Sequence, residues 1–91
     1  MELTFRKEGS KYIAEFAVAA DFNLHLERED GGLLYVQQRT STSGQYDSIK
    51  GGDFAPQDKV VDCDFAGVVY PKSIKIVSEV EPTLAVVTFN E

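Results

Sequence analysis

Few side chains in this chain are equipped for chemistry. His25 is its single histidine, so a histidine-rich metal site is excluded and any Ser-His-Asp relay has to run through that residue. Ser41, Ser43 and Ser48 are the candidate nucleophiles, and none stands in a Gly-x-Ser-x-Gly elbow. Asp53, Asp58, Asp62 and Asp64 supply four carboxylates that could converge on a calcium ion, but their spacing is not that of an EF-hand loop. A solvated strand face accounts for Asp62 and Asp64 more simply. The same acids could form a glycosidase pair, yet nothing around them signals the raised pKa that a general acid needs. No catalytic, metal-binding or cofactor-binding residue is assigned, and the expectation is a protein without enzymatic activity.

The glycine pairs point the same way. A phosphate loop places its glycines between a strand and a helix and ends in Lys-Ser or Lys-Thr. Asp30-Gly31-Gly32 has neither feature and reads as a hairpin turn. Gly51-Gly52 lies in KGGDFAPQD, which reads as the longest irregular segment, and Phe54 stands alone there among polar neighbours as a candidate contact residue. Tryptophan is absent, so a sugar-stacking platform would rest on Tyr35, Tyr46 or Tyr70. Tyr46 has Gln45 and Asp47 beside it as hydrogen-bonding neighbours, which keeps a carbohydrate-binding module open as an alternative.

The elements that must position these groups announce themselves by a period of two. Leu3 and Phe5 alternate with polar residues before the turn KEGS. Tyr12, Ala14, Phe16 and Val18 line one face of KYIAEFAV, and Phe22, Leu24 and Leu26 line one face of FNLHLERE, with Asn23, His25 and Glu27 opposite. A helical stripe through Ile13, Phe16, Ala17, Ala20 and Leu24 competes over residues 12 to 20. Strand is preferred because Ser10 is followed three positions later by Ile13 rather than Glu or Gln, and because Asp21 forms turns. LLYVQQR starts apolar and ends polar, QYDSI is short, and Val61, Cys63 and Phe65 alternate with Val60, Asp62 and Asp64. Pro71 closes VVYP, and SIKIVSE and TLAVVTFN complete the set. Turn signals at about ten-residue intervals predict a small antiparallel β-sandwich, jelly-roll or immunoglobulin-like, of seven to eight strands.

The totals set the outer bounds. Ninety-one residues form a single domain spanning residues 1 to 91, 43% hydrophobic and 26% charged. No apolar run reaches the roughly 20 residues of a membrane helix, and MELTFRKEG lacks the apolar block of a secretory signal. Cys63 is the single cysteine, so an intrachain disulfide is impossible and a small core residue is expected there. A net charge of −6 and scattered basic residues argue against nucleic acid as a partner.

From Phe22 onward, FNLHLEREDGGLLYVQQRTSTSGQYDSI and then VYPKSIKIVSEVEPTLAVVTF resemble small β-sandwich proteins of tailed-phage particles. In those, a Gly-Gly turn opens a strand of the form x-V-x-Q, a Gly-aromatic turn and short strand end in Ile or Val, and a Tyr-x-x-Ile/Val strand precedes a Val-rich one. The matching positions are Gly31, Gly32, Val36, Gln38, Gly44, Tyr46, Ile49, Tyr70, Ile74, Ile76, Val86 and Val87. The chain departs in carrying tyrosine where that turn often has tryptophan, and in the segment KGGDFAPQD. The resemblance implies a capsid auxiliary or decoration protein, or a head-fibre or tail module. It would be assembled into the virion in the host cytoplasm, with the major capsid protein, another virion protein or a second copy as partner. Arg39, Tyr46 and Phe54 are the contact residues expected on that reading.

Overall fold

The computed structural model describes residues 1–40, 45–65 and 72–89 and is all-β. Among these residues eight strands are formed: β1 (Arg6–Glu8), β2 (Lys11–Val18), β3 (Phe22–Glu27), β4 (Leu34–Thr40), β5 (Asp47–Phe54), β6 (Val60–Phe65), β7 (Lys72–Ser78) and β8 (Leu84–Phe89). They build two antiparallel sheets, one of order β1-β2-β7-β4-β5 and one of order β6-β3-β8. Residues 12 to 18 are strand, so the period-two pattern of Ala14, Phe16 and Val18 prevails over the competing helical stripe.

Alternation explains the core. Phe22, Leu24 and Leu26 from β3 meet Leu34 and Val36 from β4 and Ile74 and Ile76 from β7, all of them buried. Phe22 stacks on Phe65 at 5.0 Å between ring centroids and meets Phe16 edge-on at 5.9 Å, which ties β2, β3 and β6 together across the sheets. Cys63 is half-buried against this cluster, as expected of a small core residue. Burial, followed by Asp64 and Asp62, raises its pKa, so at neutral pH it stays a protonated and weakly nucleophilic thiol.

Three local expectations are corrected. The Asp30-Gly31-Gly32 segment is not a hairpin, because β3 and β4 belong to different sheets and the segment carries the chain between them. Its glycines serve close approach: a Cβ on Gly31 would lie 2.4 Å from the Pro56 carbonyl oxygen, and the Gly32 amide donates to that same oxygen at 2.7 Å. KGGDFAPQD is not a loop throughout, since β5 runs on to Phe54. Opposite Val36 this strand bulges, with the four residues from Ile49 to Gly52 spanning the gap between the pairs Gln37↔Ser48 and Tyr35↔Asp53. At the start of the chain, Glu2 bridges to Val86 of β8, and the segment crosses to the other sheet before β1 begins at Arg6.

One residue ties the connections together. Arg28 continues the inward series of Phe22, Leu24 and Leu26, and it is 4% exposed. Its Nε donates to the Asp58 carbonyl at 3.0 Å, Nη1 to Leu33 O and Ser78 Oγ, and Nη2 to Gly32 O at 2.8 Å and Pro56 O. Five N–H groups thus meet five acceptors from three separate segments, which is the full donor capacity of a guanidinium. Desolvation lowers its pKa, opposed by Asp58 and Glu79.

Candidate functional site

Two of the three contact residues expected from the sequence come together. Arg39 projects from the outer face of β4, and extending the register Gln37↔Ser48, Gln38↔Asp47 by one residue sets Tyr46 opposite it. The Arg39 guanidinium lies over the Tyr46 ring at 4.6 Å from its centroid, and the Lys75 ammonium of β7 lies over it at 5.3 Å. The Tyr46 hydroxyl reaches β2, where it donates to Glu15 Oε2 at 2.8 Å. The ring therefore lies across β4 and β7, above the cross-strand row Glu15↔Lys75↔Gln37.

The electrostatics fix this ring. Arg6 of β1 pairs with both Glu8 and Glu15. Arg6 first, and then the Tyr46 hydroxyl, hold the Glu15 carboxyl below its ordinary pKa, so it is ionised when the phenol donates to it. Burial, and then that same bond, raise the phenol. Three cations, Arg6, Arg39 and Lys75, thus gather on one sheet face of a chain whose net charge is −6. Among the described residues neither Arg39 nor Lys75 has a carboxylate within salt-bridge distance, although Lys75 lies in the field of Glu15, and the Arg39 Nε is shielded from solvent without a hydrogen bond. An orphaned, shielded donor of this kind costs about 1–3 kcal/mol until an acceptor reaches it. Chemically the face offers unengaged N–H donors and positive charge around a fixed aromatic.

Phe54 does not join this group. It ends β5 opposite Leu34 and packs, half-buried, against the core, so its expected place on a loop is corrected. Its isolation among polar neighbours reflects the bulge, which returns the strand to register just before it. As for a sugar platform, the Tyr46 hydroxyl is committed to Glu15 and its ring is overlain by Arg39. Ser41, Ser43, Gly44, Tyr70 and Pro71 lie outside the described residues. Sequence reasoning missed Arg6, Glu15 and Lys75, although Glu15 and Lys75 occupy outward positions of alternating strands where a charge signals a solvent face.

The opposite side of the sandwich holds a second polar array. His25 lies between two carboxylates, with Nε2 2.7 Å from Glu27 Oε2 and Nδ1 3.0 Å from Asp62 Oδ2. Both nitrogens donate only in the imidazolium. Asn23 Nδ2 donates to Asp62 at 2.8 Å and Asp64 at 3.0 Å. The four aspartates considered for calcium do not converge, since Asp53 pairs with Tyr35 in the other sheet and Asp58 sits between β5 and β6. No serine among the described residues bonds to His25.

This array makes stability depend on pH. Glu27 first, and then Asp62, raise the His25 pKa, so its contribution is complete below the unfolded value of about 6.5 and is lost as pH rises through the folded value. Asn23 and then His25 lower the Asp62 pKa, so that contribution is present above about 3.9 and is lost on acidification. The stability difference between the wild type and His25→Gln should therefore be largest between about pH 4 and 6.5 and should shrink above that window, as read from urea midpoints across pH. A difference independent of pH would mean that the ring is held by packing alone.

Compared with protein-family models, with curated proteins and with solved structures, the chain matches none.

Proposed function

We propose that this chain is a non-enzymatic structural protein of a phage virion, an auxiliary or decoration component that attaches to the capsid lattice through the outer face of its five-stranded sheet. The observation that carries the attachment surface is the Arg39–Tyr46–Lys75 group, with its shielded and unpaired Arg39 Nε. Such a group fits a lattice surface that presents carboxylates or backbone carbonyls, because arginine and tyrosine anchor interfaces at small entropic cost. The virion assignment is supported by the order of turns and strands from Phe22 onward, which resembles small phage β-sandwich proteins.

Size fits this reading. A domain of this length without a disulfide buries a modest share of its surface, so a lattice that binds only the folded form stabilises it by mass action. Repeated attachment sites multiply weak contacts. Alanine at Arg39 or at Tyr46 is expected to lower occupancy on purified particles by about tenfold or more, the effect of losing an interface anchor. Unchanged occupancy for both variants, each with a wild-type unfolding midpoint, would remove this face from consideration.

A further inference from the structure

Among the described residues the two sheets end in four lateral edges, and three of them are guarded. The edge of β8 is covered by the start of the chain, where the Leu3 amide donates to Ala85 O at 2.9 Å and the Val87 amide to Met1 O at 2.8 Å. Strand β1 is three residues long and entirely charged. Strand β5 is broken by its bulge at Ile49 to Gly52. Short, charged and bulged edges are the usual means of preventing strand addition.

The fourth edge lacks such guards among the described residues. β6 runs for six residues, VVDCDF, paired in continuous register with β3 from Glu27↔Val60 to Phe22↔Phe65, without bulge, proline or lysine. The Arg28 amide donates to Lys59 O at 2.9 Å, and this sets the phase of the ladder. Odd-numbered residues face β3, so the N–H and C=O groups of Val60, Asp62 and Asp64 are directed at the open edge. Among the described residues no strand pairs there. Val60 is 62% exposed, an unusual place for a large β-branched side chain, and inward-facing Cys63 is only half-buried between buried Val61 and Phe65.

We infer that the β6 edge accepts an extended peptide segment from a partner, with lysine or arginine at alternate positions. The backbone of that segment would pair with Val60, Asp62 and Asp64. Its inward side chains would cover Cys63, and its outward ones would lie beside Asp62 and Asp64. Charge selects the occupant. In a two-fold pairing of β6 with a second copy, Asp62 and Asp64 would confront their own equivalents, and like charges opposite each other destabilise a ladder. A strand carrying cations at the same positions gains instead. The Asn23 bridge that holds Asp62 and Asp64 together keeps both carboxylates on that face. This surface lies in the sheet opposite the one that carries Tyr46, and it does not depend on the reading proposed above.

The test is amide hydrogen exchange by NMR on the intact chain with millimolar synthetic hexapeptide, blocked at both ends, of sequence Val-Lys-Val-Lys-Val-Lys, and with its Val-Glu counterpart. The lysine peptide is expected to slow exchange at Val60, Asp62 and Asp64 by about tenfold near saturation, with little change at Val61 and Cys63, whose amides already face β3. The glutamate peptide is expected to have no effect. In the Asp62→Asn, Asp64→Asn double variant the preference for lysine should vanish. Unaltered exchange with the lysine peptide, or equal protection by both peptides, would overturn the inference. Protection that rises with protein concentration alone would overturn it in favour of a second copy.

Discussion

Replacing Arg28 with alanine is expected to destabilise the fold by about 3–5 kcal/mol, the range for breaking a buried charged network. The reason lies in what each acceptor has left. Leu33 O keeps the Glu79 amide and Pro56 O keeps the Gly32 amide. Gly32 O and Asp58 O lose the donors that Arg28 gave them, at 2.8 and 3.0 Å. Each orphaned carbonyl costs about 1–3 kcal/mol, and the vacated volume adds to that cost. In a domain of this size the melting temperature should fall by more than about 12 °C. Arg28→Lys keeps the charge but brings three donors in a compact head, so it should recover no more than about half of the loss. Urea midpoints for the three proteins check this. A loss under about 1 kcal/mol in the alanine variant would show that the connections hold without the guanidinium.

The second large effect belongs to the bulge in β5. A Cβ on Gly52 would lie 2.5 Å from Val36 O, in the backbone of the neighbouring strand, and 2.5 Å from Ile49 Cγ2. A flexible side chain can move aside, whereas the carbonyl of a strand paired on both sides cannot. Gly52→Ala is therefore expected to cost about 2–3 kcal/mol through overpacking. Gly9 is the control, because its φ of +62° is left-handed while open space surrounds its Cα. Gly9→Ala should cost only the conformational penalty, about 1 kcal/mol. Equal losses at the two positions would show that β4 yields to the added methyl group. The pair of measurements separates contact from conformation, and it reports on the strand that leads directly from Tyr46.

Strand identity was legible because alternation is local. Phe22, Leu24 and Leu26 state their inward face without reference to any other strand, and the structure buries all three. Which strand lies beside which was not legible. DGG has the chemistry of a hairpin turn, and only the pairing of β3 with β6 and β8 reveals that it crosses between sheets. Gly51-Gly52 likewise has the composition of a loop, yet it serves a bulge whose partner, Val36, is remote in sequence. Arg28 was within reach, since it is the next inward position after Leu26, and a charge on an inward face announces a buried network.

The site was legible only in part. The resemblance named Arg39 and Tyr46, seven positions apart in the sequence, and the structure sets the Arg39 guanidinium 4.6 Å from the centroid of the Tyr46 ring. Glu15 and Lys75 come from strands whose adjacency to β4 arises only in the folded sheet. Phe54 reads as a loop residue because an aromatic at the end of a bulged strand has polar neighbours in sequence but an apolar one, Leu34, in space.

The claim that matters most is attachment to a particle. It is tested most directly by quantitative mass spectrometry of purified phage particles from the source culture, with this chain scored against the major capsid subunit. The result expected is a fixed ratio of copies to capsid subunits that falls when Arg39 or Tyr46 is replaced by alanine. Absence of the chain from the particles would contradict the virion assignment.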